Sequence, residues 1–221
     1  MELSAELFSA ILHGPAWVIF LLALLAALRM ACWRRLSNKE QFNVFLGTCV
    51  VLILLWLVRA QVEQYWSYHL LGVTAVTLMF GWSLAIIATT IALTAVTFNG
   101  GGDWQGLALN GLLVGVLPVT LTQFSLVLVH SLLPRNFFVY VLLNAFLIGG
   151  LAATLCGYAA ALLLATSGVY TWFQLEQELL PFFPLMFLPE ALINGWIITM
   201  LVLYRPAWVG SFSDVLYLKG K

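Results

Sequence analysis

Thirty consecutive residues, His69 to Phe98, carry no charged side chain. As one straight α-helix the run would be about 45 Å long, at 1.5 Å per residue. A bilayer core of about 30 Å needs only about 20 helical residues. Further long apolar stretches run from Pro15 to Cys32, Asn43 to Val58, Leu107 to Leu133, Phe137 to Ser167 and Leu179 to Tyr204. Hydrophobic residues make up 63% of the chain and charged residues 8%, against roughly 45–50% and 25% in soluble domains. A soluble chain of 221 residues cannot hide that much apolar surface, so its solvent is largely lipid. The expected fold class is an all-α integral membrane protein.

The run at 69–98 is either one long helix or two short ones broken near Phe80-Gly81-Trp82, and the basic residues favour the break. With two helices, about seven transmembrane segments place Arg29, Arg34, Arg35, Lys39, Arg135, Arg205, Lys219 and Lys221 on one side. Only Arg59 is left on the other. The positive-inside rule makes the first side cytoplasmic, with the N-terminus outside and the C-terminus inside. A rival scheme breaks 137–167 at Gly149-Gly150 instead and additionally misplaces only Arg135. The expected organisation is one membrane domain, residues 1–205, and a short cytoplasmic tail, 206–221. The opening "MELSAELFSAILHGPAW" has Glu2 and Glu6 but no early Lys or Arg, the reverse of a secretory signal. The expected location is the cell inner (cytoplasmic) membrane, crossed several times.

Zero net charge gives no sign of nucleic acid. Cys32, Cys49 and Cys156 are scattered without metal or redox spacing. "NGGGDWQG" (99–106) reads as an external turn; it lacks the order of a phosphate-binding loop. Residues 168–180, with Glu176 and Glu178, read as a second external loop. "GLLVG" (111–115) has the spacing of close helix packing. No GxSxG, HExxH or paired intramembrane aspartate supports catalysis, so no enzyme is expected.

The polar residues inside apolar stretches are few. His69 follows Gln61, Glu63, Gln64, Tyr65, Trp66 and Tyr68 at the external end of its run. It is either an interfacial histidine within an aromatic belt or a ligand for nickel, cobalt, zinc or copper. His13, at the external end of the first span, is a possible companion, whereas His130 belongs near the opposite face. Glu190 in "FLPEALINGW" is costly in lipid, at least ~2.5 kcal/mol if ionised. It is either a helix-start cap following Pro189 or a functional group. Asn110 and Asn144 are expected to hydrogen-bond across helices.

The order of these motifs resembles the CbiM/NikM-type permeases, the substrate-binding (S) components of energy-coupling factor (ECF) ABC transporters for cobalt and nickel. The family's "GHLLG" stretch corresponds to Tyr68-His69-Leu70-Leu71-Gly72, and its helix break to Phe80-Gly81-Trp82. Its glycine-rich turn corresponds to Gly100-Gly101-Gly102, its "LGAN" to Ala108-Leu109-Asn110, and its "PEA…G" to Pro189-Glu190-Ala191 and Gly195. The resemblance spans roughly residues 1 to 205 and implies an S-component-like fold.

It also implies that His69 binds Co2+ or Ni2+ as substrate, together with the N-terminal amine of Met1 and a histidine directly after it. Here Glu2 stands in that histidine's place and offers an oxygen, and His13 is the remaining imidazole at that end. Nitrogen ligands in a square-planar set suit nickel and copper. The implied partners are a transmembrane coupling protein and separate ATPase subunits, because the chain has no Walker motif. Gly111, Gly115, Ala152, Ala153 and Ala159 to Ala161 are expected to give smooth surfaces for that contact. A binding component for a small organic solute, or a structural or regulatory membrane protein, are the other readings.

Overall fold

The computed structural model describes residues 2–3, 10–63, 66–168, 170–213 and 217. The first helix, α1 (Ala10–Met30), leads through a single turn, α2 (Trp33–Leu36), into α3 (Lys39–Leu57). Asn38 starts α3 by accepting hydrogen bonds from the Glu40 and Gln41 amides. Two short strands follow, β2 (Ala60–Glu63) and β3 (Trp66–Tyr68), then α4 (Val73–Val96), which widens into a π-helical turn at Thr97–Gly101. Next, α5 (Leu107–Asn110) runs through a π-helical segment into α6 (Leu117–Leu132), and α7 (Phe137–Val139) does the same into α8 (Ile148–Thr166). The chain closes with α9 (Trp172–Glu178) and α10 (Phe183–Tyr204). A strand at the start, β1 (Glu2–Leu3), joins the others in a small antiparallel sheet ordered β1-β3-β2. Apart from that sheet the regular structure among the described residues is helical.

Among the described residues, six helical stretches are long and apolar enough to cross a membrane: Leu12–Met30, Lys39–Leu57, Val73–Gly101, Leu107–Leu132, Phe137–Thr166 and Trp172–Tyr204. The third stretch is two helices. Gly81 has φ 81° and ψ 173°, a conformation open essentially to glycine alone, and the chain reverses there. Arg35, before α3, donates to the Met79 carbonyl, whereas Arg59, after α3, donates to the Gly101 carbonyl. Between Met79 and Gly101 the chain therefore travels back along the length of α3. The arm before Gly81 starts beside Leu52 and Leu55 of α3, where Gly72 packs. It ends at the Arg35 end, so seven helical segments result, of which residues 73–80 form only a half-span of about 12 Å.

The rival break at Gly149-Gly150 is not made. Residues 137–166 are continuous, and the two glycines admit close neighbours: Asn194 and the Glu190 carbonyl against Gly149, Phe187 against Gly150. Most of the strongest stretch of Val73–Gly101 is buried (72%), against 17% for Leu12–Met30 and 22% for Lys39–Leu57. The helix α4 is thus the core around which the others stand. The outer helices turn side chains such as Val18, Leu22, Val50 and Leu54 outward, as lipid contact requires.

Three sequence expectations need correction. The small residues expected on a partner surface are mostly interior: Gly111 packs on Phe20 and Gly115 on Thr89, and Ala152, Ala153, Ala160 and Ala161 are buried. Residues 168–180 are not simply a loop, because they contain α9. Thr171 and Gln174 form a reciprocal capping box at its start, a T-x-x-Q signature present in the sequence. Finally, Pro189 and Glu190 do not start a helix. They lie inside α10, whose first turn carries Pro184.

A side chain at Gly81 meets no neighbour within 4 Å, so its penalty is purely conformational. Gly81→Ala should cost about 1–3 kcal/mol, read as a lower thermal unfolding midpoint in detergent micelles with helix content unchanged.

Candidate functional site

His69 sits between β3 and α4, at the end of the bundle opposite Arg35, and is 4% exposed. Its ring lies against the buried Trp56 indole, with centroids 5.3 Å apart. The Nδ1 atom is 3.2 Å from the Leu70 carbonyl. A carbonyl can only accept, so the proton sits on Nδ1 and Nε2 carries the lone pair. Nε2 is buried and has no hydrogen-bond partner among the described residues. Burial also pushes the His69 imidazolium well below the usual histidine range, because desolvation penalises the charged ring. The side chain lines a cleft of about 330 Å³ with Val58, Arg59, Tyr68, Met186 and Pro189. Pro189 lacks the amide that would continue the α10 ladder to the Leu185 carbonyl, and Leu185 lines the same cleft.

The start of the chain lies beside this loop. In the sheet Glu2 pairs with Ser67, two residues before His69, and Leu3 pairs with Trp66. Asn110, buried at the end of α5, holds β1 from the other side. Its Oδ1 accepts the Leu3 amide at 2.9 Å, and its Nδ2 donates to the Leu3 carbonyl at 2.9 Å. The expected helix-to-helix bond of Asn110 is therefore a helix-to-strand bond.

Glu190 also belongs to this end. It is 1% exposed, and its two carboxylate oxygens accept the amides of Leu71 and of Gly72, the latter at 3.2 Å. Asn194, one turn along α10, donates to Glu190 Oε2 at 2.8 Å and accepts the Ala75 amide at 2.8 Å. Sequence reading singled out Glu190 but missed Asn194, although an i, i+4 pair shares a helix face.

The other candidates fare differently. The side chain of Glu2 and the whole of Met1 lie outside the described residues. His13 stands half-buried on α1, and no described contact joins it to His69. His130 lies at the Arg35 end, hydrogen-bonded to Tyr217. Asn144 is buried in the π-helical segment between α7 and α8, without the expected cross-helix bond among the described residues. Those residues contain no group of three or more His, Cys, Asp or Glu placed to hold a metal ion.

A polytopic helical membrane protein with a buried imidazole, its Nε2 without a hydrogen-bond partner among the described residues, beside its own first strand is the class that this geometry defines. The chain belongs to the CbiM family, whose model, described as the cobalt uptake substrate-specific transmembrane region, matches residues 4–208. It is thus a membrane component of metal uptake, and not an enzyme. Two solved structures share the fold. A crystal structure of a transition metal transporter superposes with a TM-score of 0.76 at 16% identity, over 91% of this chain and 92% of that one. A crystal structure of a truncated transition metal transporter gives 0.75 at 15% identity, over 92% and 99%. Comparison with curated protein sequences finds no significant match.

Two outcomes are expected from this geometry. Asn110→Ala removes two hydrogen bonds worth about 0.5–1.5 kcal/mol each and should speed amide exchange at Leu3. For His69 the folded imidazole protonates less readily than the unfolded one. Its contribution to stability is therefore complete above about pH 6.5 and is lost as the pH falls below that value. Between pH 7 and pH 5 the wild type should lose more stability than His69→Gln, measured by thermal unfolding of both at each pH.

Proposed function

We propose that the chain is the substrate-capture subunit of an ECF-type ABC importer for a divalent transition metal, cobalt or nickel. The observation that carries this reading is the buried Nε2 of His69, presented with its lone pair free beside the strand that begins the chain. A neutral imidazole held by a hydrogen bond through its other nitrogen is the usual form of a metal-ligating histidine. The N-terminal amine of Met1, which directly precedes Glu2 in the sequence, is the natural second ligand. Glu2 adds a carboxylate where the family's second histidine would stand. That change favours an oxygen-tolerant set over a purely square-planar nitrogen one.

The subunit has no nucleotide-binding motif, so energy comes from ATPase partners through a transmembrane coupling protein. The arginine-rich end faces the cytoplasm by the positive-inside rule, which leaves His69 and β1 on the outer side. A component that captures its substrate from outside needs its site there.

Calorimetry of nickel and cobalt on the purified protein, beside His69→Ala, tests the reading. Binding near neutral pH in the wild type, weakened more than about 100-fold in His69→Ala, is expected, since even supporting residues around a metal contribute 10–100-fold. Absence of heat with either metal in the wild type would overturn the assignment and turn attention to small organic solutes.

A further inference from the structure

The amino end of α4 has no cap of its own. Its N-cap residue is Gly72, with φ 66° and no side-chain cap, a left-handed conformation that strains any residue with a Cβ. A Cβ there would also press on Leu55, 3.0 Å away. Serine and threonine, which normally satisfy the open amides of a first turn, are therefore disfavoured by backbone geometry. The cap comes instead from α10, 119 residues away along the chain. Glu190 takes the Leu71 and Gly72 amides, and Asn194 takes the Ala75 amide while steadying the Glu190 carboxylate at 2.8 Å. From the opposite side, the Trp56 indole donates to the Leu71 carbonyl at 3.0 Å.

Leu71 is thus held through its amide and its carbonyl at once, two residues after His69. The His69 ring in turn bonds the carbonyl of Leu70, the residue between them. Two amide donors face two carboxylate oxygens, an arrangement that a glutamine cannot reproduce, because its NH2 would oppose an N–H.

We propose that Glu190 and Asn194 are positioning residues for His69: they hold the 69–72 loop so that Nε2 points at the bound cation. The proposal rests on the metal-capture reading above, but its mechanical half can be tested without metal. The experiment uses the full chain in lipid nanodiscs, as wild type, Glu190→Gln and Asn194→Ala. Three quantities are read: amide exchange over residues 69–75 in metal-free protein, nickel affinity by calorimetry, and the visible absorption band of bound nickel.

Glu190→Gln should speed exchange over 69–75 at least about 10-fold while leaving α8 protected. It should weaken nickel about 10–100-fold and shift the nickel band, because the imidazole no longer meets the ion in one orientation. Asn194→Ala should do the same to a smaller degree, and it carries the test by the same criteria if Glu190→Gln fails to fold. Faster exchange with wild-type affinity and an unmoved band would overturn the positioning role, as would unchanged exchange. If the wild type binds no nickel, faster exchange in the variants upholds the clamp on the loop, and the metal-capture reading alone falls.

Discussion

A carboxylate deep in an apolar bundle needs compensation, and Glu190 finds it in the amides that open α4. These amides lie at the positive end of a helix dipole, so the buried acid and the uncapped helix start satisfy one another. The other end of the same half-helix is treated in the opposite sense. The break at Gly81 leaves the last carbonyls of residues 73–80 without helical partners, and a cation covers them. Arg35 donates to the Met79 carbonyl at 2.6 Å, to the Trp208 carbonyl at 3.1 Å and to Gln41 at 3.0 Å. The Gly210 and Ser211 amides complete the set at Met79 and Leu78. An eight-residue helix too short to persist alone is thereby fixed between an acid at its amino end and a base at its carboxyl end.

This arrangement also explains how a broken helix is tolerated in a membrane. Irregular backbone at membrane depth is acceptable only where protein satisfies its polar groups. The helices α3, α6 and α10 surround the half-span, and the polar contacts between them are few and specific. Thr74 meets Thr122 at 3.0 Å, Asn194 meets Ala75, and Trp56 meets Leu71. The close approaches rest on Gly111, Gly149, Gly150 and Gly195, each facing a larger residue. Small residues that sequence alone suggests for an outside partner are consumed in building this interior.

Much of the architecture was legible in the sequence because length and charge are local signals. The uncharged run after His69 is too long for one span, and the basic residues favour a break near Gly81 over the rival at Gly149-Gly150 by a single arginine, Arg135; only the structure decides between them. Span boundaries agree within a few residues because Arg29, Asn38, Arg59 and Asn136 mark the ends. What was not legible is long-range pairing. Nothing near Glu190 announces that it caps residues 119 positions earlier, and nothing near Asn110 announces that it grips Leu3. Pro189 beside an acid resembles a helix start and proved to be interior, because Pro184 had already begun the helix. Around the candidate site, sequence reading singled out His69, Asn110 and Glu190 but passed over Asn194 and the Trp56 prop, whose contacts appear only when α3, α4 and α10 stand together.

The reversal at Gly81 has an arithmetical consequence. It raises the number of passes from even to odd, so the chain enters at one end of the bundle and leaves at the other. The first strand lies beside the imidazole, while the segment at Gly210 and Ser211 closes over the arginine. One glycine's dihedral angles therefore decide that the strand at Glu2–Leu3 and the turn at Gly210–Ser211 lie at opposite ends of the bundle.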